Sequence, residues 1–168
     1  MKDKRVTVYA GSFDPITNGH LDILERALKI FDYIIIAVAE NPAKKPLFTL
    51  EERLELMRIS LQDHPKSHHF KIDSFKGLLV NYVEQCGAVA ILRGLRAVSD
   101  FEYEFQMALM NRKLSRIPET LYLMTGARWI YISSRIIKEV VQAGGSVTGL
   151  VPEVVDKKLR EKFKSGTA

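Results

Sequence analysis

At 168 residues, with 46% hydrophobic and 27% charged side chains, the chain has the composition of a single globular domain over 1–168, not of a disordered or low-complexity protein. Its one cysteine, Cys86, excludes an intrachain disulfide framework, and its longest unbroken apolar run, residues 33–39, is too short to cross a bilayer. A net charge of +5 raises nucleic acid as a partner, but the basic residues are dispersed, with Lys44-Lys45 and Lys157-Lys158 the only Lys-Lys pairs and no stripe of interleaved aromatics.

In chain order, the first strand is predicted over 5–10 and is followed by an amphipathic segment through Leu21, Leu24 and Leu28. Between them lies Gly11-Ser12-Phe13-Asp14-Pro15-Ile16-Thr17-Asn18-Gly19-His20, which sets a histidine at the start of a helix. A helix start presents unpaired N–H groups and the positive end of the macrodipole, which suits phosphate. A lone Gly-His pair fits a capping loop equally well, so the rest of the chain decides between the two. A nearly all-apolar strand is predicted over 33–39, as parallel strands covered on both faces require. Thr49-Leu50-Glu51-Glu52 reads as a capping box opening a helix with Leu50, Leu54, Met57 and Leu61 on one face.

A third strand is predicted over 69–74, with Cys86 near a helix end, and a fourth over 88–92 with Arg93-Gly94-Leu95-Arg96 as the loop after it. Ser99-Asp100-Phe101-Glu102 reads as a second capping box, before Phe105, Ala108, Leu109 and Arg112. The fifth strand is predicted over 121–124. Ser133-Ser134 then opens a helix that stops at Gly144-Gly145, and Pro152 opens a last one through Val155, Leu159 and Phe163. This alternation predicts an α/β fold, a Rossmann-like doubly wound five-stranded parallel sheet with helices on both faces. With strand order 3-2-1-4-5, the loops after strands one and four meet at the point where strand order reverses, where such sheets bind ligands. Two phosphate-friendly loops then share one crevice, which a mere capping loop does not predict.

No G-x-G-x-x-G follows the first strand and no G-x-x-x-x-G-K-[ST] occurs, so neither a dinucleotide fingerprint nor a Walker cradle is present. His64 and His68 stand four apart, but Pro65 opposes a helix between them, and no protein metal site is expected. No Ser/His/Asp or Cys/His arrangement suggests covalent catalysis. The remaining inventory suits a site that positions phosphates and stabilises charge without supplying a nucleophile.

Thr17-Asn18-Gly19-His20 resembles the T/H-x-G-H signature of the nucleotidyltransferase superfamily, and Trp129-Ile130-Tyr131-Ile132-Ser133-Ser134-Arg135 resembles its I-S-S-type motif. Three longer blocks resemble the phosphopantetheine adenylyltransferase family in order and spacing: Gly11 to His20 as quoted above; Lys44-Lys45-Pro46 with Phe48-Thr49-Leu50-Glu51-Glu52-Arg53; and Arg93-Gly94-Leu95-Arg96-Ala97 with Asp100-Phe101-Glu102-Tyr103-Glu104. The resemblance implies transfer of AMP from ATP to 4′-phosphopantetheine, with Mg²⁺ and a homohexamer. It implies His20 as a transition-state stabiliser acting with Lys44 and Arg93. Contacts to ATP are implied for Ser12, Phe13, His20, Gly94, Leu95, Arg96, Glu104 and the residues from Trp129 through Ile130, Tyr131, Ile132, Ser133 and Ser134 to Arg135. Contacts to the acceptor are implied for Ser12, Lys44, Leu79 and Arg93. Ile130 and Arg135 depart from the family pattern, where a smaller residue and a third serine are usual.

The acceptor phosphate is already anionic, so attack on the α-phosphorus needs orientation and charge stabilisation but no general base. Two alternatives stay open: a sister enzyme acting on nicotinamide mononucleotide or a polyol phosphate, and a nucleotide-binding module without turnover. A cytoplasmic protein is expected, with no membrane and no nucleic-acid partner, since Met1-Lys2-Asp3-Lys4-Arg5 leads into no signal-peptide core.

Overall fold

Side chains of a strand alternate between its two faces, and here both faces are apolar. Tyr9, Ile34, Ile36, Val38 and Leu92 enter one core cluster, and Val8, Ala10, Ile35, Ala37 and Ile91 enter the other. The computed structural model describes residues 4–40, 45–96 and 98–164. Lys44, expected above to hold the acceptor, and Ala97 lie outside them. The elements run β1 (Val6–Gly11), α1 (Asn18–Ala27), β2 (Tyr33–Ala39), α2 (Leu50–Gln62), β3 (Phe70–Phe75), α3 (Leu79–Gln85), β4 (Ala90–Leu95), α4 (Val98–Leu114), β5 (Glu119–Met124), α5 (Ser134–Gln142) and α6 (Glu153–Lys164).

The sheet order is β3-β2-β1-β4-β5 and every pairing is parallel, as predicted. β1 therefore lies between β2 and β4 at the reversal point. Helices α1, α2, α5 and α6 cover one face through Ile23, Leu24, Met57, Ile137, Val155 and Leu159, all buried. α3 covers part of the other through Val80 and Val83. Each such side chain contributes about 1.5–3 kcal/mol when fully buried. No helix among the described residues is long and apolar enough to cross a membrane.

Three helix starts follow the sequence closely. Thr49 Oγ1 accepts the N–H of Glu52 at 3.2 Å and the Glu52 carboxylate accepts the N–H of Thr49 at 2.9 Å, closing the predicted box. Ser133 Oγ accepts the N–H of Ile136 at 3.0 Å and caps α5, and α6 begins directly after Pro152.

Other boundaries differ. β4 runs three residues past its predicted end, because β5 lies alongside it and supplies Tyr122, Leu123 and Met124 as partners for Arg93, Gly94 and Leu95. Arg93 is thus a strand residue, not a loop residue. α4 begins at Val98, so Ser99 stands inside its first turn and not before it. α3 carries no side-chain cap and had no signal in the sequence beyond its flanking glycines. The predicted position of Cys86 near a helix end holds, since it is the C-cap of α3, half-buried against the second cluster.

Candidate active site

At the carboxyl ends of β1 and β4 a cavity of about 490 Å³ opens over α1 and α5. It brings together Ser12, Phe13, His20, Arg93, Gly94, Arg96, Glu104, Ile132, Ser133, Ser134 and Arg135 from segments scattered across the chain. A second groove, of about 600 Å³, continues from Ser12 and Arg93 past Leu79 and along α4 at Met107 and Asn111. Leu79 therefore lies outside the first cavity but beside it. Leu95, Trp129, Ile130 and Tyr131 do not line either space. Trp129 lies under the guanidinium of Arg128, 4.6 Å from its ring centre, while Ile130 and Tyr131 are exposed.

His20 is set by the way α1 begins. Thr17 is the N-cap and His20 occupies the third helical position, the place where a capping box usually has Glu or Gln. The N–H of Thr17 donates to Nδ1 of His20 at 3.0 Å. A backbone N–H only donates, so Nδ1 is an acceptor and the neutral ring carries its proton on Nε2. Burial pulls the imidazole pKa down to about 3, with the charges of Arg96 and Arg93 acting in the same direction. The side chain is thus a neutral N–H donor across the physiological range. Phe13 and Tyr9 hold the ring in place, Phe13 edge-on at 5.1 Å between centroids and Tyr9 tilted at 6.3 Å. The ring of Phe13 itself is 2% exposed, so what Phe13 offers a ligand is its main chain.

The turn after β1 is held from both sides. Phe13 has φ +43°, in the left-handed region, and a Cβ on Gly11 would meet its ring at 3.1 Å. Arg53, buried on the inner side of α2, donates through Nη1 to the carbonyl of Ser12 at 2.8 Å. Asp14 is 5% exposed and accepts the N–H groups of Leu47 and Phe48, each at 3.0 Å, and Lys138 Nζ at 2.5 Å. Ser134 Oγ donates to the carbonyl of Pro15 at 2.7 Å and ties α5 to the same turn. Asp14 and Lys138 were missed as supports of the site from sequence. Arg53 carried a usable signal, a charged residue at the core-facing spacing of α2 between Leu50 and Met57.

Arg93 and Glu104, expected to serve different substrates, hold each other. The guanidinium makes two hydrogen bonds to the carboxylate, one of 2.9 Å through Nε and a shorter one from Nη2 to Oε1, and a third from Nη1 to the carbonyl of Ala10 at 2.6 Å. Burial works against the charge of Arg93, and the bonds and charge of Glu104 outweigh it, raising the pKa above the usual guanidinium value. Arg96 donates to the carbonyl of Ile132 at 3.0 Å and pairs with Asp100 at 3.4 Å, which fixes it against the start of α5. Ser12 is exposed at the meeting point of the cavity and the groove. The arrangement can bind a polyanion by its phosphates, aim a neutral donor at one of them, and present a second substrate along the groove at Leu79.

Residues 8–140 match the model of the cytidylyltransferase-like family. The chain is 59% identical over 95% of its length to the phosphopantetheine adenylyltransferase of Carboxydothermus hydrogenoformans, covering 97% of that protein. It is 56% identical to the phosphopantetheine adenylyltransferase of Desulfosudis oleivorans, over 95% of this chain and 93% of that one. Its fold is shared by a bifunctional NMN adenylyltransferase/ADP ribose pyrophosphatase from Francisella tularensis, at a TM-score of 0.67 and 14% identity, over 96% of this chain and 51% of that one. With identities of this size over nearly its whole length, the chain belongs to the phosphopantetheine adenylyltransferase family.

Proposed function

We propose that this protein transfers the adenylyl group of ATP to 4′-phosphopantetheine, forming 3′-dephospho-coenzyme A and pyrophosphate by direct in-line displacement. The observation that carries the reading is His20, a half-buried neutral donor fixed by the main chain in a cavity whose other walls include Arg96, Ser133 and Ser134. A phosphate oxygen of the acceptor bonds to the α-phosphorus while the bond from that phosphorus to the β-phosphate bridging oxygen breaks. The electron pair of the broken bond leaves with pyrophosphate. No step needs a protein base. His20 gives its Nε2–H to the α-phosphate as charge gathers there, which is differential stabilisation of the transition state. Arg96 and the first turn of α5 flank the triphosphate. Arg93, with Lys44, orients the acceptor phosphate, and Leu79 lies beside the acceptor's apolar arm. Ser12 stands between the two substrates, and Gly94 and Ile132 border the nucleoside.

Mg²⁺ fits this donor set as a partner of the triphosphate itself. The carboxylates that line the cavity, Asp100 and Glu104, are both ion-paired, which leaves phosphate oxygens and water as its ligands. When bound it screens the charge of the triphosphate. A homohexamer is supported by α4, whose Phe101, Phe105, Leu109 and Met110 are each about half exposed, an apolar surface of the kind that subunits cover.

The test is incubation with ATP, Mg²⁺ and 4′-phosphopantetheine, following pyrophosphate release. Turnover with phosphopantetheine, and none with nicotinamide mononucleotide or a polyol phosphate with CTP, is the expected result. Binding of ATP without pyrophosphate release would overturn the assignment.

A further inference from the structure

A third cavity, of about 320 Å³, opens beyond Ser12 on the side of α2 and α5. Its charged walls are Lys45, Arg53, Arg135 and Lys138, with Asp14 the one carboxylate among its lining residues. Arg53 is unusual there. It is 6% exposed, yet forms no ion pair among the described residues, and its Nε and Nη1 go to the uncharged carbonyls of Thr49 and Ser12. Its Nη2 makes no hydrogen bond among the described residues. A buried cation without a counter-ion is costly unless something supplies the charge. Asp14 does not, because Lys138 and the N–H groups of Leu47 and Phe48 occupy its oxygens. Arg135 is paired with Glu139, and Lys45 is exposed with no ion pair among the described residues. The chamber therefore holds an excess of positive charge around an open space.

Its connections say which anion it suits. Ser12 lines this chamber, the nucleotide cavity and the groove at Leu79, and Ser134 and Arg135 line both this chamber and the nucleotide cavity. In an in-line displacement the leaving group departs away from the entering oxygen. With the nucleoside in the first cavity and the acceptor in the groove, the basic chamber is a cavity that meets both at Ser12. We propose that it receives the diphosphate leaving group, with Lys45, Arg53 and Lys138 holding a pyrophosphate end that Arg96 and the first turn of α5 do not reach. This rests on the adenylyl-transfer reading. Arg53, by holding the Ser12 carbonyl with one nitrogen and the anion with another, would link the leaving group to the turn between the substrates.

The experiment is the reverse reaction, with dephospho-coenzyme A and pyrophosphate as substrates, on the whole protein at constant ionic strength. Lys45→Ala, at an exposed position with no ion pair among the described residues, raises KM for pyrophosphate about 5-fold. Arg53→Lys keeps the charge but loses the fork, and raises it about 10-fold. In Lys45→Ala, KM for dephospho-coenzyme A and, in the forward direction, for phosphopantetheine stays within about twofold of the wild type, as expected for a group that touches only the leaving group, whereas Arg53→Lys, which also loosens the hold on the Ser12 carbonyl, is read on the KM for pyrophosphate. A circular dichroism melt confirms that each variant is folded. Unchanged KM for pyrophosphate in folded Lys45→Ala and Arg53→Lys, with the wild type turning over, overturns the proposal. So does a rise confined to phosphopantetheine, which would give the chamber to the acceptor phosphate. A wild type without turnover in either direction removes the parent reading, and this one with it.

Discussion

His20→Ala separates the job proposed for this ring from one the structure shows. The first is donation to the α-phosphate from Nε2. Loss of one preorganised donor at a site of developing charge costs about 2.7–4 kcal/mol in the transition state, so kcat falls about 10²–10³-fold. The second is the reciprocal half of the α1 cap, where Nδ1 accepts the Thr17 N–H at 3.0 Å. That bond is worth about 0.5–1.5 kcal/mol, and the edge-on contact with Phe13 adds about 0.5–1.5 kcal/mol. At roughly 2–4 °C per kcal/mol for a chain of this size, Tm should drop by about 2–12 °C. His20→Gln tests the division. Glutamine at this helical position restores a capping-box acceptor, so most of the cap contribution to Tm returns while kcat stays depressed at least about tenfold, because the amide cannot place its donor where the ring held Nε2. Turnover is followed by pyrophosphate release at saturating ATP and phosphopantetheine, and ATP affinity by titration calorimetry. If His20→Ala turned over near the wild-type rate, or if its loss lay wholly in ATP affinity, the transition-state role would be wrong.

Arg93→Ala and Lys44→Ala should each raise KM for phosphopantetheine about 10- to 150-fold through loss of a charge-assisted bond, and normal KM in both would remove their acceptor role. Arg93→Ala also strands the Glu104 carboxylate, 8% exposed, so adding Glu104→Gln should recover Tm without recovering KM, as read by a melt and a rate assay on the double variant. In the free protein the His20 ring should not titrate between pH 5 and 8. Its folded pKa, about 3, lies below the unfolded value near 6.5, so the unfolded chain takes up the proton first and stability is lost as pH falls through that window. An NMR titration showing an inflection near pH 6.5 would contradict the neutral ring. Sedimentation at micromolar concentration should give a species several times the monomer mass, and Leu109→Glu on the exposed face of α4 should dissociate it; an active wild-type monomer would return that face to solvent.

Elements with a chemical reason to start or stop were readable in the sequence. Thr49 and Ser133 carry side chains that satisfy orphan N–H groups, and both cap the helices expected of them. The parallel sheet was legible in the alternation of strand and helix segments, with the strands over 33–39 and 88–92 nearly all apolar, and the order assumed for it is the one observed. What local pattern does not carry is length set by a neighbour. β4 runs on to Leu95 only because β5 lies alongside it, and that moved Arg93 from a loop to a strand. α3 has seven residues, no cap and only Val80 and Val83 buried, too little for a periodic signal. The His20 turn and the I-S-S segment were legible as site residues. The pairing of Arg93 with Glu104 was not, since it joins β4 to α4 through space, and neither was the support given by Asp14 and Lys138, which lie 124 residues apart.

The donor that fixes the tautomer of His20 is a main-chain N–H. Every residue except proline supplies that group at position 17, so no ordinary substitution there removes it. Side-chain changes at Thr17 would weaken the helix cap and remove the hydroxyl 2.9 Å from Nδ1, yet leave the main-chain donor to Nδ1 and with it the proton of His20 on Nε2. Sequence drift through this turn can therefore erode stability by degrees while the chemical identity of the donor is preserved, and the two properties are separately exposed to mutation.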